Sequence, residues 1–144
     1  MNNDRHLQLM RNLYTALQAE TMARYGKAGI VPEIEEEKRG QSLASGAKNA
    51  QMLGVSEPEE AFSVPAAITE CASWDIVSMD NGLSATCRGC RLIGMCKAVS
   101  TPSPCRMYCL NPIRGMVEAL RPGARFEVQS TLWESDRCHV EVCW

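Results

Sequence analysis

Neither sign of charge dominates these 144 residues: fifteen Lys and Arg stand against seventeen Asp and Glu, a formal net charge of −2. A general nucleic-acid binder needs a basic surface to displace condensed counterions, so that class is excluded for the chain as a whole. Aromatic residues make up only 6%, and there are two histidines, so a histidine-assisted nucleophile has only His6 and His139 to draw on. No apolar run approaches the roughly 18 residues that a membrane span requires. The opening stretch, MNNDRHLQLM, lacks the basic-then-apolar order of a secretory signal. Gly82, Gly89 and Gly94 do not fall in the strand–loop–helix pattern of a phosphate loop. There is no internal repeat and no low-complexity tract. The expectation is one cytoplasmic domain over residues 1–144, with no membrane and no nucleic-acid partner.

Cysteine is the exception to this sparseness. Eight are present, and seven of them lie after residue 86. In a reducing compartment clustered thiols bind metal or react more often than they form disulfides. The two halves also differ in charge. Residues 1–86 carry seven basic and twelve acidic side chains, whereas the segment from Cys87 through Arg125 holds seven basic residues and one acid, Glu118. A local basic, thiol-rich segment is therefore hidden in a near-neutral total.

Hydrophobic periodicity predicts the elements. Leu7, Met10, Leu13, Tyr14 and Leu17 recur at helical steps over residues 4–25, giving an amphipathic first helix capped at Asn3 or Asp4, with Gly26 and Gly29 as its stop. Pro32 and the acidic run Glu33–Glu37 open a second helix that reaches Leu53 before Gly54. Gly40 and Gly46 weaken it, while the small residues Ala44, Ala47 and Ala50 would let another helix pack closely, including one from a second subunit. Ser56–Glu59 has the spacing of a capping box for a third helix, which Pro65 should divide. Trp74–Met79 and Leu83–Cys87 read as strands joined at Asp80-Asn81-Gly82, a strong hairpin signal. Asn111-Pro112 opens a helix through Leu120, and strands follow at about Arg125–Trp133 and Cys138–Cys143. The fold class expected is α+β: a mainly helical part, residues 1–73, then a cysteine-rich part, residues 74–144, with an antiparallel sheet of about four strands built from two hairpins with helices between them.

Five cysteines crowd into 23 residues. Four of them, Cys87, Cys90, Cys105 and Cys109, form C-x2-C-x14-C-x3-C, close to a zinc-ribbon pattern, and are the expected metal ligands. Zinc is the expected ion. Iron–sulfur ligation is less favoured, because neither ferredoxin spacing occurs. Packing is the competing role, and Cys71, Cys138 and Cys143 read as core residues. Arg88, Arg91, Lys97, Arg106 and Arg114 interleave with the thiols, and nearby cations favour thiolate. Of these, Arg88, Arg106 and Arg114 are the expected ligand-binding residues, holding a carboxylate.

Taken in order, Thr86–Cys90, Cys105–Cys109, Leu120–Pro122 and Thr131–Cys138 resemble the L-2-amino-thiazoline-4-carboxylic acid hydrolase-like family. More loosely they are similar to the small-molecule-binding domain related to 4-vinyl reductases. The resemblance implies a ligand cavity between sheet and helices, a homodimer, and hydrolysis of a cyclic C–N bond. It matches Cys87 or Cys90, Cys105, Cys109 and Cys138. The doubling of Cys87 and Cys90, and His139 where an apolar residue is usual, depart from the pattern. On this reading a thiolate of Cys105 or Cys109, the expected catalytic residues, attacks an amidine-type ring carbon of a small anionic substrate, or a metal-bound water replaces it. The alternative is a non-enzymatic zinc- or redox-sensing module, and a third possibility is a structural protein that dimerises through its N-terminal helices.

Overall fold

The computed structural model describes residues 2–144. Three helices come first: α1 (Asn2–Ala28), α2 (Val31–Leu53) and α3 (Pro58–Thr69). Strands β1 (Ala72–Met79) and β2 (Gly82–Cys90) follow, then α4 (Arg91–Ala98), a π-helical turn (Arg106–Leu110) running into α5 (Asn111–Leu120), and the closing strands β3 (Arg125–Ser130) and β4 (Cys138–Cys143). The four strands form one antiparallel sheet in the order β1-β2-β4-β3. The α+β architecture expected from the sequence is the one observed. No helix among the described residues is long and apolar enough to cross a membrane.

Strand alternation decides which face of the sheet is buried. Leu83, Ala85, Cys87, Cys138, Val140 and Val142 point to the helices and are buried. Their neighbours Ser84, Thr86, His139 and Glu141 occupy the other face, as a period of two requires. The helices pack on the inner face around Phe62, Ile113, Met116 and Val117, which form the main core with these strand residues. A second, smaller core joins α1 to α4 and the π turn through Ala19, Met22, Leu92, Cys96 and Met107.

The closest helix packing is between α2 and α5. A methyl group on Gly46 would overlap the carbonyl of Gly115, and one on Gly115 would overlap the carbonyl of Ser42. The small-residue stripe of α2 thus serves a helix of the same chain, and glycine is needed where the two backbones touch. Gly40 has open space around it.

Four local expectations change. The apolar stripe Leu7, Met10, Leu13, Tyr14 and Leu17 is exposed, and α1 instead buries Thr15, Gln18, Ala19 and Met22. It docks by its C-terminal half, while Arg11 anchors the middle by donating to the carbonyl of Ile68 at 2.8 Å and pairing with Glu70 at 2.7 Å. That guanidinium answers the free carbonyls at the end of α3. The capping box is one residue later than the spacing predicts: Glu57 is the N-cap, and Glu60 accepts from its backbone N–H at 3.0 Å. Pro65 does not divide α3, because Phe62 and Ala66 on either side are both held in the core. Finally, α5 does not begin at Asn111. The chain is already helical from Cys105, and the Asn111 N–H reaches back five residues to Arg106. The wider turn lets Pro112, which has no N–H to give, sit inside a continuing helix. The short helix α4, interrupted by Gly94, has no counterpart in the sequence reading.

Candidate functional site

A cavity of about 340 Å³ lies where the two cores meet. Helix α1 supplies Tyr14, Thr15 and Gln18; α2 supplies Asn49, Met52 and Leu53; α3 supplies Phe62, Pro65, Ala66 and Thr69. Trp74 of β1 and Ile113 and Met116 of α5 complete an apolar wall. Phe62 is edge-on to Trp74 with ring centroids 5.2 Å apart, and stacks on Phe126 at 6.0 Å, which fixes that wall. No Asp, Glu, Lys, Arg or His among the described residues lines the cavity.

Three thiols do. Cys71, Cys90 and Cys109 reach the same cavity from the end of α3, the end of β2 and the π turn. The first two are brought together by the sheet: Ala72 pairs with Cys90, and the Arg91 N–H donates to the Cys71 carbonyl at 2.9 Å. The π turn then places Cys109 on the same wall. Cys71, read from the sequence as a core residue, belongs to this group, and its lone position far from the other cysteines gave no local signal for it.

The sequence pattern Cys87, Cys90, Cys105 and Cys109 is not gathered around one centre. Cys87 is buried on the inner face of the sheet and donates to the carbonyl of Gly89 at 3.0 Å. Cys105 is buried beside Ser103 and the Thr131–Glu134 loop and does not line the cavity. Among the described residues no three Cys, His, Asp or Glu side chains stand where they would hold one metal ion. A zinc or iron–sulfur centre made from these four ligands would therefore require the thiols to move. All eight cysteines are free.

The thiols are also not activated in the way the surrounding arginines led us to expect. Burial pushes Cys90 up to about 11 and Cys138 up to about 12, with neighbouring thiols adding to the effect. Cys109, on the cavity wall, is raised well above the ordinary thiol value by burial and by Cys71, Cys90, Cys138 and Cys105. Cys105 and Cys96 are raised as well, again by burial first. Desolvation outweighs any cation, so these groups are neutral thiols near pH 7.

This has a consequence for stability. Between about pH 9 and pH 11 the unfolded chain gives up the Cys90 proton while the folded chain keeps it, so unfolding gains and stability falls. For Cys138 the window extends to about pH 12. Unfolding free energies from urea melts between pH 8 and 11 should fall steadily, by at most about 1.4 kcal/mol per pH unit for each such thiol. The Cys90→Ala variant should lose part of that slope; an unchanged slope would show that Cys90 titrates normally.

The arginines lie elsewhere. Arg88 lies on β2 and is exposed. Arg106 and Arg114 do come together, on the opposite side of the π turn and α5 from the cavity, around a separate hollow of about 200 Å³ with Asn111, Leu110, Phe126 and Val128. Arg114 is already paired with Glu118 at 2.7 Å. His139 lies on the outer face of the sheet. Its Nε2 is 3.1 Å from Ser84 Oγ and 2.6 Å from Glu141 Oε1. Both contacts use the same ring nitrogen, so the three groups do not form a serine–histidine–acid relay, which needs one nitrogen for each partner.

No family model matches the chain, and no curated protein or solved structure matches it either.

Proposed function

We propose that this chain is a small-molecule-binding domain whose ligand occupies the cavity between α1, α2, α3 and the π turn. The observation that carries the reading is the convergence of Cys71, Cys90 and Cys109 from three separate segments on a cavity with no charged residue in its wall. A pre-formed, mostly apolar pocket with a few polar groups is the usual design of such sites, and 340 Å³ suits a compact ring system. The ligand is uncharged, because a carboxylate placed there would have no cation to meet and would lose its hydration. The setting is a reducing cytoplasm, where eight free thiols persist.

Naphthalene is a suitable probe. In an NMR titration it should bind the wild type, and Thr69→Trp, which adds bulk at the cavity wall, should weaken binding at least tenfold. Bound naphthalene should slow alkylation of Cys71, Cys90 and Cys109 by N-ethylmaleimide, while the exposed Cys143 reacts at an unchanged rate. Absence of binding near aqueous saturation, or equal protection of all thiols, would overturn the reading.

A second reading is hydrolysis of an amino-thiazoline-like ring with Cys109 as nucleophile, favoured by its place on the cavity wall. Cys105 is less suited, since it does not reach the cavity. With the Cys109 thiol neutral and no base beside it, turnover of the methyl ester of 2-amino-thiazoline-4-carboxylic acid, which brings no carboxylate into the cavity, should climb about tenfold per pH unit from pH 7 to 9. It should vanish in Cys109→Ser. A flat profile would remove this mechanism.

A further inference from the structure

Gln18 is one of three buried polar residues among the described residues, at 8% exposure. The other two are satisfied within the chain: Thr15 donates to the Arg11 carbonyl at 3.0 Å, and Thr101 to the Pro102 carbonyl at 2.7 Å. Gln18 makes no side-chain hydrogen bond to any described residue. No side-chain nitrogen or oxygen is both sealed off and without a partner, so the Gln18 carboxamide opens onto the cavity it lines. Water reaching the cavity can satisfy this amide in the free protein, but a ligand that displaces that water must replace its hydrogen bonds or leave the amide unpaired at a cost, so the position selects what can occupy the cavity. The neighbouring polar groups are more committed: Asn49 Nδ2 donates to Ser45 at 3.2 Å, and Thr69 donates to the Pro65 carbonyl at 3.0 Å. Asn49 keeps one N–H and its Oδ1 uncommitted but is only half-buried, so among the described residues Gln18 is the one buried carboxamide on the cavity wall with donor and acceptor both uncommitted.

We propose that Gln18 is the polar anchor of the cavity and that the ligand is a flat, uncharged ring system with a hydrogen-bond donor and an acceptor on adjacent atoms, as in a lactam. The proposal rests on the cavity reading above and names the ligand class for it. A carboxamide offers C=O and N–H side by side in one plane, so it pairs with a cis-amide edge through two parallel hydrogen bonds. The face of the ligand would lie along Phe62, Trp74 and Ile113, and its edge would meet α1. A site built this way discriminates mainly by rejection: a ligand without the edge leaves the Gln18 amide dry and unpaired.

The test uses the full chain and four probes of similar size: 2-quinolinone, 1-methyl-2-quinolinone, naphthalene and quinoline-2-carboxylate. Dissociation constants come from NMR titration. On the wild type, 2-quinolinone should bind at least tenfold more tightly than the N-methyl compound, and quinoline-2-carboxylate should bind weakest. In Gln18→Met, similar in length and without the amide, the lactam should lose about tenfold while naphthalene stays within about twofold. The N-methyl comparison needs no variant, so a folding defect in Gln18→Met cannot decide the matter. If naphthalene binds but the lactam gains nothing over its methylated form, or the carboxylate binds best, the role of Gln18 is overturned and the cavity reading stands. If neither naphthalene nor the lactam binds, both fall together.

Discussion

Gly46→Ala is expected to lower the melting temperature by about 10 °C, and Gly40→Ala, six residues earlier in the same helix, to raise it by about 3 °C. Both substitutions remove a flexible residue from a helix interior, which by itself stabilises by about 1 kcal/mol. At Gly40 nothing opposes that gain, because the space around it is open. At Gly46 the new methyl group meets the backbone carbonyl of Gly115, an atom that cannot rotate away as a side chain does. The helices must separate, and the loss of packing along α2 and α5 costs on the order of 3 kcal/mol or more. For a domain of this size each kcal/mol moves the melting point by about 3 °C. Gly115→Ala should behave like Gly46→Ala, since its methyl would meet the Ser42 carbonyl. Circular-dichroism melts of the three variants check this. A Gly46→Ala melt within two degrees of wild type would mean that the two helices do not touch through their backbones.

Phe62→Ala is expected to cost about 4 kcal/mol, near the upper end for a large-to-small change in a core. Phe62 is fully buried and holds both Trp74 and Phe126 by ring contacts, so its removal releases two other aromatic side chains as well as its own buried surface. It also separates the cavity from the main core. The loss should appear as a lower urea midpoint, and the widened cavity should accept anthracene, which the wild type excludes. Phe62→Leu should cost less than half as much. If Phe62→Ala were tolerated at under 1 kcal/mol, the main core would not be organised around this ring.

Much of the fold follows from local pattern. The hairpin at Asp80-Asn81-Gly82, the bounds of α2 and the strand Cys138–Cys143 are all where period and turn chemistry put them. Each depends on interactions within a few residues, and local rules reach that far. The exposed stripe on α1 marks the limit of such rules. Periodicity shows that Leu7, Met10, Leu13, Tyr14 and Leu17 share a face, but not whether anything in this chain covers it. The π turn is a similar case: Pro112 signals a helix start, and only the packing of Met107 and Leu110 into the two cores explains why the helix begins earlier.

The structure divides the thiol-rich segment. Cys90 and Cys109 reach the cavity. Cys87 and Cys105, which sequence spacing joined to them, went into the interior, and Arg106 and Arg114 went to the far side of the helix. Gln18 and Cys71 carry no motif at all.

What the amino-acid order determined alone is the α+β class, the sheet built from two hairpins and the abundance of thiols in a near-neutral chain. Which thiols share a wall, and whether a nearby arginine or simple burial governs them, was decided by tertiary structure. The reason is physical: secondary structure arises from neighbours along the chain, whereas a cavity and its electrostatics arise from groups that are distant in sequence and meet only when the core closes.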